Sequence, residues 1–323
     1  MQIEAKFDAA EAAFITRTLL WVENQTYDIL IPPMEGRRFV PVDTSTPAGA
    51  KFTAYRQYTR LGIARLITEA GADLPNASIF VKEFQHQFYA IGASYTYDYF
   101  DLLAAALASQ NGGPPLNLDL ELARAAREAI EKKLDVIAAV GSAATTWALE
   151  NEIDVGMVGL LNNPNATIYA VANGYATGTT PWSGKTPDEI IADLTGVVAG
   201  QISGTYKVHT PDSMILPVAQ MESIMGRSMG DGRSDTILSY FMKTNRHIKE
   251  VDSWNYCQGA GSGSTDRGVA YAKDPRYVRH MLAMDFTQLP AQQKKLVFEV
   301  PCIAKTAGVI MPYPLSVSYF DGI

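Results

Sequence analysis

Cysteine and long apolar runs are scarce in this 323-residue sequence. The two cysteines, Cys257 and Cys302, form no CxxC motif, which favours free thiols in a reducing compartment over a disulfide framework. No apolar run approaches the roughly 18 residues of a membrane-spanning helix. The N-terminal residues MQIEAKFDAAEAAF also lack the basic and apolar regions of a secretory signal. The sequence therefore predicts a soluble protein with no membrane association.

Positive charge is also in the minority. Lysine and arginine number 27 against 34 aspartates and glutamates, which gives a net charge of -7. Tight binding to a phosphate backbone requires a positive footprint, so this balance excludes a dedicated nucleic-acid binder but not a protein that encloses nucleic acid. With 47% hydrophobic and 19% charged residues, the chain can bury a core in one large domain or two modest ones.

Motifs that carry chemistry are missing or incomplete. In GTTPWSGKT, residues 178–186, five residues separate the two glycines, whereas a P-loop has four. The glycine-rich residues 259–268 do not show the GxGxxG pattern that opens a helix, so we expect a surface loop there. His247 and Glu250 form a lone HxxE in a predicted strand, where residues three apart point to opposite faces. None of the four histidines has a second histidine or cysteine at metal-ligand spacing: His86, His209, His247 and His280.

Nucleophile motifs are absent as well. There is no GxSxG elbow, and neither cysteine lies in a recognisable nucleophile motif. Acidic pairs such as Asp98 and Asp101 are expected by chance among 34 acidic residues. The sequence therefore predicts no catalytic residue, no cofactor and no metal site.

Residues 118–140 give the strongest helix signal. Their apolar residues recur every three to four positions and form one stripe: Leu122, Ala126, Ile130, Leu134 and Ile137. A capping box, with Thr186 as N-cap, a proline at N1 and Glu189 at N3, predicts another helix. Further helices are predicted at residues 8–24 and 234–245. The rest is rich in β-formers with short connections, so the order of elements indicates an α+β fold.

Two segments near the N-terminus have unusual patterns. Residues 25–50 contain four prolines and little periodicity, which predicts an extended arm that crosses a surface without forming a core. Residues 51–67 and 79–99 predict the two strands of a hairpin, but the basic residues of the first strand fall on both of its faces. A ribbon without a buried face is marginal alone. It needs another surface, either a neighbouring molecule or, as the alternative, its own domain.

The segment GLLNNPNAT, residues 159–167, follows the long helix and is polar without any charge. Pro164 favours an extended conformation for Asn163. Asn162 and Asn165 can satisfy backbone groups through Asx-type hydrogen bonds without burying a charge. These residues predict a neutral structural junction, and a plain turn within one domain is the alternative.

The order of these features resembles the major capsid protein of tailed bacteriophages, with the Hong Kong 97-type fold that encapsulin shells share. The resemblance covers nearly the whole chain. It is carried by the order and spacing of these segments: ARAAREAIEKKLDVIAAVG, GLLNNP, TPDEIIADL, MILPVAQ, SDTILSYF and SVSYFDGI.

The resemblance implies a role for each segment. Four parts are expected: an N-terminal arm at 1–50, an extended loop at 51–97, a peripheral domain with the spine helix at 98–150 and 271–305, and an axial domain at 151–270 and 306–323. The junction between the two domains would be formed by Asn162, Asn163 and Pro164. Contacts with a neighbouring subunit are expected at the tip of the extended loop: Gly71, Ala72, Asp73, Leu74, Pro75 and Asn76.

The resemblance also implies partners. Copies of the chain would assemble as hexamers and pentamers into an icosahedral head, located in the virion and built in the host cytoplasm. The head would enclose double-stranded DNA without sequence-specific binding. A portal and a separate scaffolding protein are expected, since no room for a scaffolding segment precedes the arm. Lys82, the only lysine within residues 52–97, lies in a predicted strand and not at the loop tip. We therefore do not predict the Lys–Asn crosslink that joins subunits in some relatives.

Two alternatives remain open at this point. An encapsulin-like compartment would share the fold, but the long proline-rich arm favours a phage head. A soluble α+β enzyme with an unrecognised acidic site would form a small oligomer, whereas a capsid subunit would form rings or shells.

Overall fold

The computed structural model describes residues 32–65, 76–110, 118–142, 154–175, 177–230 and 232–323, so the predicted helix at 8–24 lies outside the described residues. The helices in these ranges are α1 (Gly36–Phe39), α2 (Tyr99–Gln110), α3 (Leu118–Val140), α4 (Pro187–Gly204), α5 (Val218–Gly226) and α6 (Ile237–Thr244). The strands are β1 (Val42–Asp43), β2 (Phe52–Leu61), β3 (Ser78–Gln87), β4 (Tyr89–Asp98), β5 (Thr167–Ala170), β6 (Ser213–Leu216), β7 (Ser228–Gly230), β8 (Arg233–Thr236), β9 (Glu250–Ser253), β10 (Arg267–Tyr271), β11 (Arg279–Gln288), β12 (Gln292–Lys294), β13 (Val297–Ile310) and β14 (Val317–Asp321). The mixture confirms the α+β class.

The first of two five-stranded sheets, the spine sheet, is built around β13. Its order is β1-β11-β13-β12, and β4 pairs with the other side of β13. Helix α3, the spine helix, packs on this sheet. It begins and ends at the predicted residues, and its apolar stripe is buried, with Ile130 and Leu134 against Tyr95 of β4. The 3.6-residue period therefore identified both the helix and its packing face.

The second sheet, the mixed sheet, has the order β5-β14-β10-β6-β9, with parallel pairs at its two edges. Its central strand β10 is buried on both faces. Val269 and Tyr271 pack in one core with the end of the spine helix, and Ala270 packs in another core with α4, α5 and α6. Burial on both faces explains why these three residues show no polar alternation.

Helix α4 begins where its capping box predicted. The Thr186 side chain accepts from the Glu189 amide, and the Glu189 carboxylate accepts from the Thr186 amide at 2.7 Å. Helix α6 begins later than the predicted residue 234. Its first residue is Ile237, because the preceding residues pair in β8 and the Thr236 hydroxyl accepts from the Ser239 amide.

Residues 32–50, which we call the strap, correct one prediction. The strap contributes to a core instead of only crossing a surface: Phe39 and Val40 are 1% and 0% exposed. The Phe39 ring lies 5.1 Å from the Trp254 ring, and the Tyr271 hydroxyl donates to the Phe39 carbonyl at 2.8 Å. Helix α1 is a single turn, too short to show any periodicity in the sequence.

The second predicted strand, residues 79–99, is two strands. β3 pairs with β2, and we call this pair the ribbon; β4 pairs with β13 in the spine sheet. Phe88 separates the two strands and is buried against Met281 and Ile310. The hairpin predicted for 51–97 is therefore too long, and helix α2 begins at Tyr99, where the sequence had predicted strand.

Candidate assembly surfaces

The chain turns back along the end of the spine helix to form the junction. Gly141 has φ +69°, a left-handed conformation that favours glycine. Gly159 passes so close to the helix that a Cβ would lie 2.4 Å from the Ala139 carbonyl oxygen. This approach lets the Leu161 amide donate to the same carbonyl at 2.8 Å. The junction thereby satisfies carbonyl groups that the end of a helix would leave without partners.

Two asparagine side chains complete the junction. Asn162 Oδ1 accepts from the amide three residues before it at 2.7 Å, and its Nδ2 donates to the Val140 carbonyl at 2.5 Å. Asn163 Oδ1 accepts from the Asn165 amide at 2.9 Å, which is an Asx turn. The sequence predicted that the Asn165 side chain would make such a bond, but Asn165 contributes its backbone amide as the donor. Asn163 is buried and Pro164 is exposed.

A buried charge lies against this neutral stretch. Arg267 donates to the Leu161 carbonyl at 2.6 Å and forms two hydrogen bonds with Asp321, each 2.7 Å long. Its guanidinium lies 4.4 Å from the centre of the Tyr319 ring, whose hydroxyl donates to the Leu160 carbonyl at 2.6 Å. The junction is therefore fastened to β10 and β14. Sequence reasoning missed Arg267, because no local signal connects it to a segment 106 residues away.

The ribbon contacts the rest of the subunit at its base. Tyr55 packs near the Phe88 cluster, and its ring lies 5.2 Å from the Phe84 ring. The Gln57 amide donates to the Pro312 carbonyl. On the opposite face, Arg56 donates to Glu83 across the strands at 2.8 Å. One face of the base is therefore partly covered by the same chain.

Beyond Gln57 both faces of the ribbon are exposed, and we call this part the distal ribbon. Large apolar side chains lie on both faces, each more than half exposed: Tyr58, Leu61, Ile79, Phe80 and Val81. The cross-strand pairs put Tyr58 and Val81 on one face and Phe80 on the other. A two-stranded ribbon cannot bury both of its faces. The expectation of an uncovered ribbon therefore holds for its distal part.

The predicted contact residues at the loop tip fall mostly outside the described residues. Gly71, Ala72, Asp73, Leu74 and Pro75 lie there; Asn76 is described and is exposed, two residues before β3. Lys82 lies in β3 as predicted, with its amino nitrogen 4.7 Å from the centre of the Phe84 ring.

A second apolar surface, the outer patch, surrounds helix α2. Its exposed large residues are Tyr99, Phe100, Leu103, Leu107 and Leu296. Asp101 is the only charged residue in the sequence of α2. The Tyr99 amide donates to the Leu296 carbonyl at 3.1 Å, which places α2 beside the loop before β13.

The lysine of GTTPWSGKT has a structural role. Lys185 is buried, with its amino group 2.5 Å from Asp193 Oδ2 and donating to the Ala172 carbonyl at 2.6 Å. Trp182 Nε1 donates to the same carboxylate oxygen at 3.1 Å. The amino group is therefore committed to its own subunit, which supports the rejection of a P-loop.

The glycine-rich loop at 259–268 binds carboxylates of its own chain. The Gly259 amide donates to Asp266 and the Ser262 amide to Asp321, each at 3.1 Å.

Within the described residues no group of three or more metal-ligating side chains occurs. No helix in that part of the chain is long and apolar enough to cross a membrane.

His280 is a buried structural histidine. Its Nε2 lies 3.0 Å from the Thr306 hydroxyl, and its backbone amide donates to the Pro41 carbonyl of the strap at 2.8 Å. Burial, with a smaller contribution from the charge of Arg37, lowers the pKa of His280 to about 4. Burial also raises the pKa of the Cys257 thiol, which keeps it unreactive.

The chain resembles known proteins in both sequence and fold. A family model described as major capsid protein matches residues 62–323. No curated protein sequence matches the chain.

Solved structures share the fold at low sequence identity. The capsid of Myoviridae phage XM1 aligns with a TM-score of 0.78 and 14% identity, covering 95% of this chain and 98% of that one. A structure from Mycobacterium phage Bobi aligns with a TM-score of 0.59 and 14% identity, covering 98% and 99%. A virus-like particle from Pyrococcus furiosus aligns with a TM-score of 0.52 and 10% identity, covering 88% and 91%.

Proposed function

The chain belongs to the major capsid protein family, and from this premise we propose that it assembles through hexamers and pentamers into the icosahedral head of a tailed bacteriophage. Its structural role in a capsid follows from the family and agrees with the shared fold. The oligomers that build the shell, its contents and its assembly partners are the proposed part.

The exposed apolar surfaces are the observation that supports assembly best. The distal ribbon and the outer patch both present large apolar side chains to solvent. Soluble monomers rarely expose contiguous apolar surfaces of this kind, and such surfaces mark sites of protein–protein contact. The ribbon would lie across a neighbouring subunit as a clasp, with Gly71 to Asn76 at its tip.

The two sheets fit the two expected domains of a capsid subunit. In this proposal the spine helix and spine sheet form the peripheral domain. The mixed sheet with α4, α5 and α6 forms the axial domain around the centres of hexamers and pentamers. The junction at Asn162, Asn163 and Pro164 carries the chain between them, and its fixed geometry sets their relative positions.

The proposed shell encloses double-stranded DNA, which is confined inside it by packaging. A net charge of -7 supports weak, sequence-independent contact with DNA. A portal and a separate scaffolding protein would take part in assembly in the host cytoplasm.

Electron microscopy and native mass spectrometry of the purified protein test this function. We expect rings of five or six subunits, or closed particles. A stable monomer or a small oligomer of other symmetry at high concentration would contradict the proposal. The likeness to the Pyrococcus furiosus particle favours one second candidate, a protein compartment that encloses other proteins. The contents of particles made during infection, DNA or protein, separate the two.

A further inference from the structure

A groove runs along helix α4, between α4 and α6. Its volume is about 840 Å³, and apolar side chains form much of its lining: Ile191, Val198, Ile202 and Tyr240. The three α4 residues are seven and four positions apart, so they share one face of the helix. No side chain of the described residues fills this space.

The rim of the groove is basic. Lys207 and Arg246 lie just after the C-terminal ends of α4 and α6, and both line the groove and are exposed. Neither forms an ion pair within the described part of the chain. Tyr206 and Lys207 have φ +51° and +64°, so an ordered left-handed turn presents the Lys207 side chain at the rim.

Tyr175 is a large aromatic residue that its own subunit leaves fully exposed. Its loop is ordered by hydrogen bonds: the Gly174 amide donates to the Thr179 carbonyl at 2.8 Å, and the Tyr175 amide donates to Glu189 at 2.7 Å. An ordered loop loses little entropy when its side chain binds. The Glu189 carboxylate, which accepts from the Tyr175 amide, makes the surroundings of Tyr175 acidic.

We propose that Tyr175 of one subunit inserts into the α4–α6 groove of a second copy of this chain, with Glu189 beside it facing the basic rim. The inference rests on the proposed function, because it requires subunits arranged in rings. Glu189, which holds the Tyr175 loop, and Ile191 in the groove are two residues apart, so they point roughly 160° apart around α4. The ring and the groove therefore lie on opposite sides of the helix. A contact between different surfaces of adjacent copies is the kind that closes a ring.

Cysteine crosslinking tests this contact directly. We would combine Tyr175→Cys with Thr195→Cys, which lines the groove, assemble this variant well above the concentration that the wild type needs, and treat it with a short bis-maleimide reagent. The matched control combines Tyr175→Cys with Gly196→Cys, which lies about 100° further around α4 and whose Cβ would meet nothing within 4 Å. The native cysteines Cys257 and Cys302 are buried and should not react.

The expected result is a ladder of covalent oligomers for the 175–195 pair and none for the 175–196 pair. Rings or particles that form without this ladder, or with equal ladders for both pairs, would overturn the contact while leaving the proposed function intact. A wild-type protein that stays monomeric at all concentrations would instead remove the proposed function, and this inference with it.

Substitution of the ring gives a second readout. Tyr175→Ser should raise the concentration needed for ring formation about tenfold or more, as for a central aromatic anchor, whereas Tyr175→Phe should retain assembly. Lys207→Glu should weaken assembly, because it replaces a positive charge at the rim with a negative one that faces Glu189. Unchanged assembly of Tyr175→Ser would contradict the proposal. This outcome includes the case in which the groove binds a small apolar molecule and not a second copy of the chain.

Discussion

The strap and the ribbon follow each other in sequence, yet they use their apolar residues in opposite ways. Phe39 and Val40 of the strap are 1% and 0% exposed, whereas Phe80 and Val81 of the ribbon are 59% and 56% exposed. The apolar residues themselves do not separate the two segments, since each segment places a phenylalanine directly before a valine. The two segments differ in the location of the surface that covers their apolar side chains. The strap packs on its own chain, and we propose that the ribbon packs on another subunit.

The largest expected effect comes from the strap. Phe39→Ala should lower the free energy of unfolding by about 3–5 kcal/mol, because it removes a buried ring and leaves a cavity. Urea unfolding of the unassembled subunit measures this. The matched control, Phe80→Ala in the distal ribbon, should change the same quantity by less than about 0.5 kcal/mol. Equal losses for the two variants would remove the distinction between the segments.

Acid should weaken the strap through His280. Because the folded-state pKa of His280 is about 4, the unfolded chain binds a proton between pH 6.5 and 4 that the folded chain does not. As the pH is lowered across this window, the free energy of unfolding should therefore decrease, and the loss should reach about 3 kcal/mol at pH 4. Urea unfolding at several pH values measures the slope, and His280→Gln should remove this contribution.

Asp135 serves as a check on this interpretation. Burial raises the pKa of Asp135, although the hydrogen bond that its carboxylate accepts from the Gly36 amide lowers it. Because the net shift is upward, Asp135 stabilises the folded state as the pH falls. The difference between wild type and His280→Gln isolates the histidine from this opposing effect. Parallel pH profiles for the two proteins would show that His280 does not control the strap.

The distal ribbon should affect association and leave folding unchanged. Phe80→Ser should raise the concentration required for assembly about 30-fold, which corresponds to about 2 kcal/mol of lost apolar burial per contact. The unfolding midpoint of the free subunit should not move. Light scattering during assembly gives the readout, with Gln85→Ser at the base of the same strand as control. Normal assembly of Phe80→Ser would place the ribbon outside the interface.

The smallest effect is expected for the ion pair on the ribbon surface. Arg56 and Glu83 face each other across the two strands, and both are exposed. Salt therefore screens their attraction, and the hydration of each separate charge opposes pairing. Replacing both with alanine should leave the unfolding midpoint unchanged at physiological salt. A clear loss of stability would show that the ribbon is held to its own subunit more strongly than its exposure indicates.

The sequence predicted elements whose signals are local. The bounds of the spine helix follow from its apolar period, and the start of α4 follows from Thr186 and Glu189, three residues apart. The paired strands of the ribbon were also recognised, since β-formers dominate the two runs that pair there. Asn162 was correctly expected to satisfy backbone groups, because an Asx-type bond needs only neighbouring residues.

Features that depend on distant residues were missed. Phe88 divides the predicted strand because Met281 and Ile310 cover it, and no property of residues 79–99 reveals that cover. Burial of Phe39 depends in the same way on Trp254 and Tyr271. The α4–α6 groove also escaped prediction, since it forms only where two helices separated in sequence meet.

The burial of Phe39 has a consequence for the time at which a newly made subunit can fold. The Tyr271 hydroxyl that binds the Phe39 carbonyl is made 232 residues later, and Val309 and Tyr319 belong to the same core. Contacts this distant in sequence delay folding during synthesis. The base of the ribbon likewise cannot be covered until Met281 and Ile310 have been synthesised. The strap core and the ribbon base can therefore close only after the ribosome has made residues 254–319.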